Sequence, residues 1–242
     1  MNATPTTRGA DDSSGAGTPP AGGAHDAHEP SAVVHLRPLG SPLPLGFLGL
    51  AGGTLVTAGL QLGWVPTLQG YTVSLILFTF VFPTQFVAAL LGFWCRDTGV
   101  GTAMGILSCT WLAIAAVTAL SPPGATSAAL GLLLIVAGAA LLVPVAAAGR
   151  GKLAASAVLT FAAVRFLLIA VYQLSAWEEW ETAAGALGLA LTGLAVYAAA
   201  AFALEDVRKS PVIPVGRARA TPSTDDERFS TAADEPGVRP LL

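Results

Sequence analysis

Hydrophobic positions fill the middle of the chain almost without interruption. Residues 38–95 carry no charge, and residues 98–149 carry none. Between Pro38 and Leu204 the only charged residues are Arg96, Asp97, Arg150, Lys152, Arg165, Glu178, Glu179 and Glu181. The two-residue alternation of a membrane β-barrel strand is missing. A helix needs about 20 apolar residues to cross roughly 30 Å of hydrocarbon. Lipid offers the backbone no hydrogen bonds, so turns must fall outside it. Breaker clusters at Trp64-Val65-Pro66, at Ser121-Pro122-Pro123-Gly124 and at Ala148-Gly149-Arg150-Gly151 supply such turns. The pattern therefore predicts an all-α, polytopic membrane protein with six spanning helices in one bundle. They fall at about 43–64, 72–93, 99–120, 125–148, 153–174 and 182–204.

Composition points the same way. Of 242 residues, 53% are hydrophobic and 11% charged, whereas soluble domains carry roughly 25% charged residues. The placement of Lys and Arg adds an orientation. Arg96, the pair Arg150 and Lys152, and the flanking Arg37, Arg208, Lys209, Arg217 and Arg219 all fall on one side. The connections after helices 1, 3 and 5 contain neither residue type. Both termini are expected in the cytoplasm, with the chain in the plasma membrane. Residues 1–39 are rich in Gly, Ala, Pro, Ser, Thr and Asp and lack the apolar stretch of a signal peptide. They are predicted to be a disordered tail, as are residues 211–242, leaving 40–210 as the membrane domain.

Candidate chemistry is sparse. All three histidines, His25, His28 and His35, lie in the first tail, away from the helices. No nucleophile–base pair is apparent, so no enzyme, metal or cofactor is expected. Nor is a nucleic-acid partner. The "GRGK" at Lys152 lacks the first glycine and the Ser/Thr of a phosphate loop. Cys95 and Cys109 read as packing thiols. Glycines spaced by four at 49/53, 59/63 and 101/105 read as close helix contacts. "WEEWE" at 177–181 reads as an interfacial loop with two anchoring tryptophans.

Arg165, near the middle of helix 5, stands apart. An arginine at that depth costs about 2.5–3.5 kcal/mol on insertion scales. It must face the bundle interior or water. A fixed cation there would attract a carboxylate. The other reading is an interhelical contact to carbonyls or polar side chains. Pro83 and Gln85 lie in helix 2, where proline frees a carbonyl at membrane depth.

Ser41-Pro42-Leu43-Pro44-Leu45-Gly46-Phe47 at the start of helix 1 resembles the Asn-Pro-Ala-Pro-Leu-Gly-Leu signature of the acetate uptake transporter family. Gln85, then Asp97-Thr98, Thr102-Ala103 and Trp111-Leu112, then Gly185, Gly188, Tyr197, Leu204, Pro214 and Gly216 follow that family in order. The resemblance spans about 40–216. It implies a six-helix bundle, assembled as a homo-oligomer (a hexamer), that passes small carboxylate anions such as acetate or succinate. Passage is either proton-coupled symport or channel-like. The resemblance places substrate at the Ser41–Gly46 motif, with Pro42, Pro44 and Leu45; Gln85, beside Pro83 in helix 2, is a further candidate on the pathway. It places a three-residue constriction at Leu50, Leu107 and Leu159. Ser41 stands where the family has asparagine, and Gly92 where it has a glutamate. A non-transporting structural or regulatory protein of the same fold is the competing expectation.

Overall fold

A computed structural model describes residues 40–148 and 153–208. The predicted tails 1–39 and 211–242, and the basic pair Arg150 and Lys152, lie outside the described residues. Six helices result: α1 (Leu43–Gln61), α2 (Thr67–Trp94), α3 (Thr98–Leu120), α4 (Ala128–Ala148), α5 (Leu153–Ser175) and α6 (Glu178–Arg208). Each is long and apolar enough to cross a membrane. No strand occurs among the described residues.

Local chemistry sets the ends. α1 stops three residues short of the predicted Trp64. Gly63 takes a φ of +73°, and its N–H donates to the Leu60 carbonyl at 3.2 Å while Trp64 N–H donates to Gly59 at 2.8 Å. This is the paired capping pattern that a left-handed residue makes. Gly63 is thus a cap, and the expected Gly59/Gly63 helix contact does not form. The same pattern closes α2, where Arg96 N–H reaches Phe93 at 3.0 Å and Asp97 N–H reaches Gly92 at 2.9 Å. There the left-handed position holds Arg96, with φ 59°.

Asp97 then starts α3. Its Oδ1 accepts from Val100 N–H at 3.1 Å, satisfying one of the four free amides of the helix start. Asp97→Ala is expected to destabilise the bundle by about 1 kcal/mol. Thermal melting in detergent reads this directly, and an unchanged melting temperature would remove the cap from the account.

α2 is one span of mixed winding. A 3₁₀ turn at Thr67–Gln69 leads into Gly70–Ile76, then a π turn at Leu77–Val81, then Phe82–Trp94. The π turn ends two residues before Pro83, which has no N–H for an ordinary helical bond. Side chains attend to the carbonyls at this break. Thr84 Oγ1 donates to Phe80 at 2.8 Å and to Val81 at 3.0 Å. Ser108 of α3 donates to Phe82 at 3.2 Å.

α6 begins four residues before the expected 182. Glu178, Glu179 and Glu181 form its first turn, where carboxylates favour the exposed amides of the helix start. "WEEWE" is therefore helix onset for the most part and not a loop.

The helices close into a ring of neighbours. α1 packs on α6, α2 on α3 and α4 on α5, with α5–α6, α3–α4 and α1–α2 contacts joining the pairs. Small residues allow this. A Cβ at Gly138 would meet the Ala163 carbonyl at 3.1 Å, and one at Gly131 would meet that of Ala170 at 3.2 Å, fixing α4 on α5. Phe47, Leu50, Leu107, Trp111 and Phe166 fill the interior. Leu48, Phe80, Leu90 and Val136 face outward, as lipid contact requires.

Candidate functional site

α5 carries Arg165, Ile169 and Tyr172 on one face, at spacings of four and seven residues. That face meets α1 and α6. Arg165 is 1% exposed. Its Nη2 donates to Thr57 Oγ1 at 2.9 Å and to Gln61 Oε1 at 2.8 Å, both on α1. Its Nε donates to the Ala184 carbonyl of α6 at 3.2 Å. Thr57 passes its own proton to the Gly53 carbonyl at 2.7 Å, so its oxygen is free to accept. Gly188 makes the room: a Cβ there would lie 2.7 Å from Nε. Arg165 Nη1 has no hydrogen-bond partner among the described residues.

A cavity of about 110 Å³ adjoins this cluster. Thr57, Gln61, Arg165, Tyr172 and Glu181 are among its polar lining. Leu77, Trp111, Ile114, Leu130 and Ile169 are among its apolar walls. A second cavity of about 280 Å³ shares Thr118, Gly124, Ala125, Gln173 and Glu181 with it and runs to Thr67, Tyr71 and Pro122. The space therefore lies towards the end of the bundle where the connections after α1, α3 and α5 turn. Gln173 Oε1 ties this end together by accepting from Ser127 N–H at 2.6 Å.

Trp111 lies at one limit of the cavity. It is fully buried, edge-on to Phe166 with ring centroids 6.1 Å apart. Beyond it come the predicted constriction residues. Leu50 precedes Gln61 by eleven residues, roughly 16 Å along the helix axis, and Leu107 precedes Trp111 by one turn. Leu50 and Leu107 are wholly buried and Leu159 is 7% exposed. None of the three lines the cavity.

The motif at the start of α1 lies further along the same axis. Ser41 is exposed, and its Oγ accepts from Leu43 N–H at 3.4 Å. Pro42 is buried, Pro44 half-buried and Leu45 exposed. Gly46 is buried, and its carbonyl accepts from Gln85 Nε2 at 3.3 Å. Gln85 is wholly buried, and its Oε1 has no partner among the described residues. The fold therefore brings Gly46 and Gln85 together and puts Arg165 in a separate layer. Gly92 has no space for the longer side chain of the resembled family, since a Cβ there would sit 2.7 Å from Gly101 N. Thr57, Gln61, Glu181 and Gly188 were not picked out as site residues from the sequence. Thr57 and Gln61, four apart in an apolar helix, were the readable signal. Among the described residues, no group of three or more His, Cys, Asp or Glu could hold a metal ion.

Six apolar helices in one bundle, with a cavity of about 110 Å³ against a buried cation, define a multi-pass membrane protein. The fold is that of a solved membrane channel. The structure of the bacterial acetate channel SatP superimposes with a TM-score of 0.66 and 23% sequence identity, covering 74% of this chain and 100% of that one. No family model matches the chain, and no curated protein matches it.

Proposed function

We propose that the chain is a divergent member of the acetate uptake transporter family and passes small carboxylates, such as acetate or succinate, across the plasma membrane. The observation that carries this reading is a buried guanidinium beside a cavity, within a fold shared over the whole length of an acetate channel. In low dielectric a fixed cation attracts an anion far more strongly than in water. It also lowers the penalty for stripping the anion of water. The cavity mouth lies on the face whose loops lack Lys and Arg, which supports an outward opening with both termini inside. From Arg165 the anion passes the Trp111 layer and the leucines Leu50, Leu107 and Leu159. It then reaches Gln85 and the Ser41, Pro42, Pro44, Leu45 and Gly46 segment at the inner end. The resemblance extends the proposal to a homo-oligomer, a hexamer.

The non-transporting reading draws on one observation. Thr57, Gln61 and Ala184 already occupy part of the guanidinium, as an interhelical tie would. Uptake decides between them. Purified full-length protein in proteoliposomes is expected to accumulate labelled acetate or succinate above empty vesicles. Uptake that collapses with the proton gradient marks symport, and uptake that persists marks a channel. No uptake of either acid overturns the transport reading.

A further inference from the structure

Glu181 shares the cavity with Arg165, and their placement on α6 relates them closely. Glu181, Ala184, Gly185 and Gly188 fall on one helix face, at spacings of three, four and seven. Ala184 holds Arg165 Nε, and Gly188 makes room for the guanidinium. Glu181 therefore stands one turn from the guanidinium contact, roughly 4.5 Å along the axis towards the mouth. It lines both the Arg165 cavity and the larger one beyond it. From α5 the Tyr172 hydroxyl interacts with its carboxylate, and Glu178 on its own helix adds like charge. Among the described residues that line the inner cavity, Arg165 is the one fixed cation and Glu181 the one carboxylate.

We propose that Glu181 is the charge filter of this cavity, admitting short monocarboxylates and disfavouring dicarboxylates. The inference rests on the carboxylate reading above and narrows it. A monoanion can place its charge on Arg165 and its methyl or ethyl tail against Leu77, Ile114, Leu130 and Ile169. A dianion engaged at Arg165 extends its second carboxylate towards the larger cavity, where the ionised form of Glu181 opposes it. Among the described residues the walls between offer no second cation. Like charges about 10 Å apart at an effective dielectric of about 20 repel by enough for an order-of-magnitude effect. Glu181→Gln keeps the shape and a polar partner for Tyr172 while removing the charge.

Two readouts on the full-length protein test this at neutral pH, where acetate carries one charge and succinate two. The first is labelled uptake in proteoliposomes. The second is equilibrium binding in detergent, followed by tryptophan fluorescence, because Trp111 lines the cavity. Wild type is expected to prefer acetate to succinate. Glu181→Gln is expected to shift the acetate-to-succinate ratio towards succinate by roughly tenfold. Glu179→Gln, exposed on the same turn and outside the cavity lining, is expected to leave the ratio unchanged. Uptake with an unaltered ratio in Glu181→Gln overturns the filter and leaves transport standing. The same holds if Glu179→Gln shifts the ratio equally. Binding with the shifted ratio but no uptake keeps the filter and overturns transport. Neither binding nor uptake by wild type overturns both.

Discussion

Arg165→Leu is expected to lower carboxylate uptake by roughly ten- to hundredfold while the bundle still folds. Hydrogen bonds to a charged group contribute about 1.5–3 kcal/mol, and each 1.4 kcal/mol is about tenfold in affinity. Leucine removes that contribution together with the positive charge. The folding side differs. Thr57 Oγ1, Gln61 Oε1 and the Ala184 carbonyl lose their donor. Thr57 and Gln61 line the cavity, so water can replace the guanidinium there. Removing a buried cation also relieves its own desolvation. Arg165→Lys keeps the charge but lacks the planar fork that spans α1 and α6 at once. It is expected to fall between leucine and wild type. Uptake and detergent melting, measured on the same preparations, separate the two roles. A folded Arg165→Leu protein with undiminished uptake would make Arg165 an interhelical tie and nothing more.

The bundle was largely readable because its causes are local. A charge-free run of sufficient length must become a helix in lipid, and proline-glycine clusters must become its turns. The Arg165 anomaly was readable for a related reason, since a lone cation at mid-span has no cheap alternative placement. Its surroundings were harder. Thr57 and Gln61 reach Arg165 across more than a hundred residues of sequence, and pairing at that range depends on helix order around the ring. Gly188 matched the resembled family, but nothing in the sequence tied it to Arg165, whose guanidinium occupies the space of its missing side chain. Glu181 was misread because acids flanked by tryptophans resemble a solvated loop. Helix α6 instead reaches back to Glu178, since carboxylates suit a helix start. That shift of four residues carries Glu181 from a loop to the cavity wall. The proline motif was legible as a helix start, but its contact with Gln85 arises only when α2 crosses α1.

Gly92→Leu is expected to be the most damaging single change for stability. A Cβ at residue 92 would lie 2.7 Å from Gly101 N and 2.9 Å from Gly101 Cα. Both atoms are backbone, so no side-chain rotation relieves the clash. α2 and α3 must separate. Overpacking of a tight core costs typically 1–3 kcal/mol and occasionally more, and a backbone-to-backbone clash belongs at about the upper end of that range. The damage would also spread. The Gly92 carbonyl accepts from Asp97 N–H in the turn that closes α2, and Asp97 in turn caps α3. Moving residue 92 therefore strains the whole connection. A loss of about 3 kcal/mol corresponds to roughly 6–12 °C in melting temperature for a domain of this size. Gly105→Ala is the matched comparison on α3. Its added methyl would find Ala89 Cβ at 3.9 Å, an ordinary contact, and no other atom within 4 Å. Alanine there also lowers the entropy of the unfolded chain. That variant is expected to melt at or slightly above wild type. If Gly92→Leu melts with wild type, the close crossing of α2 and α3 at Gly101 is wrong. A Gly105→Ala variant that melts as low as Gly92→Leu would instead show that any added side chain on this face is disruptive, and the specific crossing would lose its support.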